Sequence, residues 1–414
     1  MGDPLNRPVV IVGTGQAAVQ TALTLRDEGF EGEITLIGDE PDLPYQRPPL
    51  SKAYLLGKLD DDGLALKKPE VYKEYGLRFL TGVAVTKLDR ERRCVILNGG
   101  GAVPYESLVI ATGARPRRLG IEGEDLDGVL PLRTVWDARM IAARLPSLRK
   151  VVVVGAGFIG LEFAAVARAK GLDVTIVELG QRVLGRAVSE EISEFFLNRH
   201  MVWGTHLLFG VKVDRIEGGS RGQVQAVVLS SGVRLEADLV VVGVGVQPNL
   251  ELARDAGLQV ADGIVVDREL KTSDPAIWAA GDCAVHPNPY SSTGFARLES
   301  VQNATDQGRV VAYGIVGRPQ AYEVAPWFWS DQGDLKLQIA GLSTGYDRTV
   351  VRGEPASGAF SVFCFKGDRL LAVESVNRGP DHILARRLLH QAVHVTPEAV
   401  ADEGRTLKSM FVGA

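Results

Sequence analysis

The sequence predicts an α/β protein made of two Rossmann-like dinucleotide-binding domains and a third, C-terminal α+β domain. Three observations carry this reading. An apolar run closing on a glycine turn occurs twice, at residues 9–18 and 151–160, and each copy is followed by a helical pattern and a second β-rich run, at 33–37 and 173–177. Unbroken Val/Ile/Leu runs at 108–111 and 239–244 have the composition of parallel strands buried on both faces. Beyond about residue 317 the pattern turns to alternating strands, at 337–340, 349–352 and 360–365, and then to a helix-like segment at 381–392.

In chain order, Gly13, Gly15 and Ala18 form a G-x-G-x-x-A turn. Glycine at the first two positions lets the backbone approach a pyrophosphate, and a small third residue lets the helix pack on the strand. The helix N-terminus then offers N–H groups and a positive dipole end to the phosphates. An acid 20 to 26 residues further on can bind a ribose; Asp39 is the choice, with Glu40 close behind. Short antiparallel strands are read around residues 83–97. The second turn is Gly155, Gly157 and Gly160, with Glu178 in the ribose position. A carboxylate there accepts from a 2′-hydroxyl and repels a 2′-phosphate, so NADH is favoured over NADPH, although Arg182 lies four residues on. Residues 211–238 read as antiparallel strands with Gly-Gly and Ser-Gly turns. One such glycine turn is a weak signal, but two in matching contexts imply two dinucleotides, hence a flavin, a nicotinamide and hydride transfer.

The bulk composition narrows the class. A chain of 414 residues is long for one core, and a net charge of −5 argues against general nucleic-acid binding. Cys94, Cys283 and Cys364 are far apart in sequence and form no thiol pair or metal-ligand spacing, and the six histidines form none either. The segment 1–6 is short and polar, no apolar stretch reaches membrane-spanning length, and the cysteine usage fits the cytoplasm.

Six motifs in order add a resemblance: Pro44-Tyr-Gln-Arg-Pro-Pro-Leu-Ser-Lys52, Ala111-Thr-Gly-Ala-Arg-Pro116, Val246-Gln-Pro-Asn249, Ala280-Gly-Asp-Cys283, Glu299-Ser-Val-Gln-Asn303 and Pro326-Trp-Phe-Trp-Ser-Asp-Gln332. With them nearly the whole chain resembles the FAD-dependent pyridine-nucleotide reductases, in particular the ferredoxin reductases of bacterial oxygenase systems. The resemblance implies a glutathione-reductase-type fold. Residues 1–114 and 245–320 would form an FAD domain, 115–244 an NAD domain and 321–414 a C-terminal interface domain.

By match of motif, Ala17, Asp39, Lys52, Val85, Arg133, Asp282 and Val301 are expected to contact FAD, with Asp282 on the ribityl chain. Arg47, Ala111, Thr112, Gly113, Gly245 and Gly281 lie in or beside the same motifs and are expected to contact cofactor. The segment after Glu299 is expected to be a helix whose dipole stabilises negative charge on the reduced ring. Lys52 is placed beside the flavin, Glu162 near Lys52 and the nicotinamide, and Trp329 at the flavin–nicotinamide edge. For each a plainer role competes: a solvated lysine, a helix-surface glutamate, a core tryptophan.

Disulfide reductases of the wider superfamily carry a cysteine pair where this chain has residues 47–52, so electrons are expected to leave directly from the flavin. The implied acceptor is an acidic 2Fe–2S ferredoxin, steered by a local basic face of Lys67, Arg297 and Arg309. The tryptophan motif and residues 345–350 look more like the putidaredoxin-type reductases, which points to a heme-thiolate monooxygenase downstream before a Rieske dioxygenase. Rival readings are a reductase of rubredoxin, quinone or a small acceptor, a peroxide-forming NADH oxidase, and a flavin-binding signalling or scaffold protein.

Overall fold

A computed structural model describes residues 7–413, so segment 1–6, read above as short and polar, lies outside the described residues. The chain divides into two compact units, each built from separate stretches of the sequence. One comprises the chain up to Gln46, Asp61–Arg115 and Gln247–Pro326; the other comprises Arg47–Asp60, Pro116–Val246 and the chain from Trp327 onward.

In the first unit, β1 (Val9–Val12) leads through a glycine turn into α1 (Gln16–Asp27) and on to β2 (Ile34–Gly38). Both strands are buried along their whole length, as β-branched runs covered on both faces must be. They lie in a five-stranded parallel sheet in the order Ile277–Ala279, Ser107–Ile110, β1, β2, Leu77–Thr81. The short strands expected around residues 83–97 are Val85–Asp89 and Cys94–Leu97, paired antiparallel. The helix expected after Glu299 spans Val301–Ile315 and crosses α1 at small residues. A Cβ on Gly308 would lie 2.7 Å from the Ala17 carbonyl oxygen, so a larger residue there would push the helices apart.

The second unit repeats the design with β3 (Lys150–Val154), α2 (Phe158–Ala169) and β4 (Asp173–Glu178). Its parallel sheet runs His206–Phe209, β4, β3, Leu239–Val242, Val129–Pro131. Three antiparallel strands occupy Val213–Gly218, Val224–Leu229 and Arg234–Glu236, inside the 211–238 span. A further helix, α3 (Glu190–Val202), carries its own N-cap, Ser189. The C-terminal part opens with β5 (Trp327–Gln332), the edge of a five-stranded antiparallel sheet backed by the helix Gly379–His390. The strand Arg369–Val376, central in that sheet, escaped the sequence reading.

Buried hydrogen bonds explain why residues 116–246 and the C-terminal sheet are one compact unit. Glu374, fully buried on the central strand, accepts from the Ser189 backbone N–H at 2.9 Å and from its hydroxyl at 2.6 Å. Its carboxylate thus sits at the N-terminus of α3, where the helix dipole favours negative charge. Glu374→Ala leaves the buried Ser189 N–H without an acceptor, which costs about 1–3 kcal/mol. A lower urea midpoint with unchanged slope checks this.

Candidate functional site

Each unit holds an open glycine cradle. In the first, Gly13 has φ +122°, and a Cβ there would lie 2.2 Å from the Ala111 carbonyl oxygen, so side chains are barred where the two strand ends meet. Gly15 caps α1 without a side-chain hydrogen bond, no acid occupies the first turn, and a Cβ on Gly15 would meet nothing within 4 Å. Open space above uncapped helical N–H groups fits a pyrophosphate. Gly157 caps α2 in the same way, again with no side-chain cap and no acid in the first turn. A Cβ on Gly160 would lie 2.2 Å from the Gly155 carbonyl oxygen, so the third glycine sets the close packing of helix on turn.

The cradles differ in their acid. Val12 pairs with Ile37 and Val154 with Val177, so Gly38 is the counterpart of Glu178. A Cβ on Gly38 would come within 2.5 Å of the Thr14 hydroxyl, which leaves no room for a side chain there. The first acid, Asp39, follows one residue later and is exposed, while Glu40 is half-buried and accepts from the Tyr45 hydroxyl. Glu178 ends β4 and accepts from the Ala156 and Gly180 N–H groups, each at 2.6 Å. It braces its own glycine turn and, half-buried, retains further lone pairs for a ribose. Arg182 donates to the carbonyls of Gly185 at 2.8 Å and Val188 at 3.0 Å, which ties its guanidinium to its own loop.

The other expected residues of the first unit fall into distinct roles. Ala17 and Ala18 are buried, Ala17 at the crossing with Val301–Ile315. Val85 is half-buried at the head of its strand. After Ala111, the turn of Thr112 and Gly113 is clamped by Asn249, whose amide donates to the Thr112 carbonyl at 2.8 Å and whose N–H donates to the Gly113 carbonyl at 3.0 Å. Gly281 donates its N–H to Gln307 at 2.7 Å, and the Gln307 amide meets the fully buried His286 ring at 3.1 Å. Gln307 and His286 went unnoticed in the sequence, where neither stands in a recognisable motif. Asp282 is half-buried, and Val301 opens a helix capped by the Ser300 hydroxyl.

Arg297 does not stand in solvent as a docking cation would. Its side chain is 9% exposed and bonds Glu299 at 2.7 Å, Asp262 at 3.2 Å and the Asp282 carbonyl at 3.2 Å. Lys67 is exposed, and Arg309 is exposed with a partner in Asp306 at 3.0 Å.

The second unit contains a charged cluster. Glu162, on the first turns of α2, is 3% exposed, so it is no surface glutamate. Lys52 Nζ reaches its Oε1 at 3.0 Å, the Ser330 hydroxyl donates to the same oxygen at 2.7 Å, and the Ser51 hydroxyl donates to Oε2 at 2.5 Å. Burial pushes the Glu162 carboxyl up, while the Lys52 ammonium and the two hydroxyls pull it back down. The Lys52 side chain is 16% exposed, against 2% for Glu162, which leaves the lysine toward the rim of the cluster.

Beside the cluster, Arg47 donates to the Arg133 carbonyl at 2.9 Å, and Arg133 N–H donates to Asp137 at 3.0 Å, next to the Thr134–Asp137 capping box. Gly245 accepts from the Arg117 N–H at 3.0 Å. Trp329 is half-buried, 5.7 Å from Trp327 and tilted 34° to it. All three cysteines are buried and unpaired, and burial pushes the Cys283 and Cys364 thiols up, away from the reactive thiolate.

Comparison with known proteins agrees with this architecture. The pyridine nucleotide-disulphide oxidoreductase family matches residues 7–308, and the reductase C-terminal family matches residues 327–411. Rhodocoxin reductase from Rhodococcus erythropolis is 48% identical over 400 residues, covering 97% of this chain and 93% of the relative. The ferredoxin reductase for the CYP199A2 system of Rhodopseudomonas palustris is 48% identical, with a TM-score of 0.94 over 98% of this chain and 99% of its own. Putidaredoxin reductase from Pseudomonas putida is 42% identical over 99% of this chain and 98% of the relative. A solved covalent putidaredoxin reductase–putidaredoxin complex matches with a TM-score of 0.96 at 42% identity, over 99% of each chain.

The cluster predicts its own failure. Lys52→Met strands a buried carboxylate and destabilises the protein by about 3–5 kcal/mol near pH 7, and adding Glu162→Gln recovers most of the loss. Without Lys52 the folded-state pKa of Glu162 rises further above its unfolded value. The penalty is therefore full at high pH and shrinks as the pH falls and Glu162 takes up a proton. Urea unfolding of the two variants across pH checks both statements.

Proposed function

The chain belongs to the pyridine nucleotide-disulphide oxidoreductase family, in its branch of bacterial ferredoxin reductases, and from that premise we propose how its residues divide the work. It is an oxidoreductase that works with FAD and NAD(H) and passes electrons to a ferredoxin. The observation that carries the assignment of sites is the pair of uncapped, acid-free helix N-termini above open glycine turns, one in each unit.

With Gly13 making the turn, the N–H groups at Gly15 and the start of α1 would hold the FAD pyrophosphate, and Asp39 its ribose. The turn of Gly155, Gly157 and Gly160 would hold NADH, with Glu178 accepting from ribose hydroxyls and repelling a 2′-phosphate. Arg182, tied to its own loop, offers such a phosphate little compensation. FAD, when bound, supplies a ring that takes two electrons as hydride and releases them singly. Lys52 would place positive charge beside that ring, Glu162 would hold Lys52 in position, and Trp329 would offer an aromatic face. With every thiol buried, electrons would leave without a disulfide step.

The acceptor would be an acidic 2Fe–2S ferredoxin drawn to exposed Lys67 and Arg309. Relatives named for rhodocoxin, putidaredoxin and the CYP199A2 system favour a heme-thiolate monooxygenase as the final user. Among the described residues no helix is long and apolar enough to cross a membrane. A cytoplasmic location, where NADH is plentiful, fits the proposed activity.

Anaerobic titration of the flavin-loaded protein tests the core reading. NADH bleaches the flavin rapidly, NADPH much more slowly, and a 2Fe–2S ferredoxin reoxidises it. Bleaching without transfer to any ferredoxin would turn attention to rubredoxin, quinone or a small acceptor, and flavin that neither nucleotide reduces would sink the catalytic reading. Glu178→Gln narrows the preference for NADH about tenfold, in keeping with the roughly 1.5–3 kcal/mol of a hydrogen bond to a charged group. Arg309→Glu slows ferredoxin reduction at low ionic strength and leaves flavin bleaching unchanged.

A further inference from the structure

Glu162 is the end of a longer line of buried polar groups. Residues Phe158 and Glu162 stand one helical turn apart on α2, and Phe328 and Ser330 stand two apart on β5. Four helical residues rise about 6 Å and two strand residues about 6.6 Å, so the two pairs come into register. Phe158 packs on Phe328 at 4.6 Å between ring centres, and Glu162 meets Ser330 at 2.7 Å. The same face of β5 next presents Gln332, whose Nε2 lies 3.2 Å from Ser330 Oγ and whose Oε1 lies 3.0 Å from His200 Nε2 on α3. Ser330, Gln332 and His200 are all fully buried.

The proton inventory gives this line a direction. Ser330 has one hydroxyl proton, and the Glu162 carboxylate can only accept it, so Ser330 must accept from Gln332. The Gln332 oxygen then faces His200, which must donate from Nε2. Among the described residues Nδ1 of His200 has no hydrogen-bond partner, which suits a bare lone pair better than a buried N–H. Reversing the chain would put the ring proton on that partnerless Nδ1 and draw the Ser330 proton away from Glu162. Burial holds the His200 pKa down, to about 4, so the ring stays neutral.

We propose that Ser330, Gln332 and His200 are positioning residues, a one-way chain of donors that ends on Glu162 and fixes it as the acceptor of Lys52. The proposal rests on the reading of Lys52 and Glu162 as the charged pair of the redox site. Among the described residues the charged group facing Glu162 is Lys52, from the segment that follows Pro48–Ser51, and the β5 group that bonds it is the neutral Ser330 hydroxyl. On α3, Arg199 beside His200 stacks over the Phe195 ring at 5.8 Å, and Trp203 meets the His200 ring edge-on at 5.0 Å. Loss of the terminal donor should therefore raise the proton affinity of Glu162 without touching the nucleotide cradles.

Two measurements on the flavin-loaded protein test this. Imidazole nitrogen NMR of the unaltered protein should show His200 as the Nε2–H tautomer, neutral from about pH 5 to 8. Ser330→Ala should move the acid limb of NADH-driven flavin bleaching up by about one pH unit, a tenfold change in proton affinity or about 1.4 kcal/mol. NADH affinity should stay within about twofold, and Ser330→Thr, which keeps the hydroxyl, should restore the limb. Gln332→Met, which keeps the volume and frees the Ser330 hydroxyl from its fixed direction, should move the limb the same way by less than Ser330→Ala and decides the matter if Ser330→Ala does not fold. Unshifted profiles, or His200 carrying its proton on Nδ1, would overturn the proposal. If NADH fails to bleach the unaltered protein at any pH, the functional reading falls and the tautomer alone still tests the chain.

Discussion

A carboxylate that is cut off from water must be surrounded by donors, and the second unit is arranged around that requirement at Glu162. An unpaired ion there would cost several kcal/mol, far more than one surface contact returns. Two separate stretches meet the demand of Glu162 on α2: an early turn with Lys52 and Ser51, and β5 with Ser330. The C-terminal sheet is thereby tied to the dinucleotide-binding part by polar bonds that tolerate little displacement. Glu374 on Ser189 repeats the device at the start of α3. Unspecific apolar packing would allow the sheet to slide; hydrogen bonds with one acceptable geometry do not.

The two glycine cradles show one local solution adapted to different neighbours. Both leave a helix N-terminus uncapped beneath open space, an arrangement that leaves backbone donors unsatisfied until an anion arrives. In the second, the space at the end of β4 admits Glu178, which bonds two backbone N–H groups of its own turn. In the first, Thr14 fills the equivalent space and only glycine fits at 38, which displaces the acid to Asp39. A threonine at 14 where the second turn has Ala156 thus decides where an acid can stand.

The early turn at residues 47–52 holds no cysteine. The family takes its name from disulfide chemistry, yet this chain places Arg47, Ser51 and Lys52 there and buries all its thiols. Under the proposed reading, a fixed cation in place of a thiol pair suits a centre that holds electrons briefly and hands them to a separate protein.

How far the sequence reached can be judged residue by residue. The strand–glycine–helix units, the antiparallel insertions and the C-terminal strands were legible because turn chemistry and hydrophobic period are written in neighbouring residues. The absence of a thiol pair was legible for the same reason. The nearness of Glu162 to Lys52 came only through the resemblance, and its burial was not legible, because its partners Ser51 and Ser330 lie 111 and 168 positions away and nothing local separates a buried glutamate from a solvated one. Arg297 read as a surface cation until Asp262 and Glu299 closed on it, Gln332 stood in a quoted motif without a role, and Gln307, His286 and His200 carried no local sign at all. Local geometry and period were set by the sequence alone. Burial, and with it the charge and proton position of each polar group, came only with tertiary structure, because desolvation depends on which distant segments displace the water.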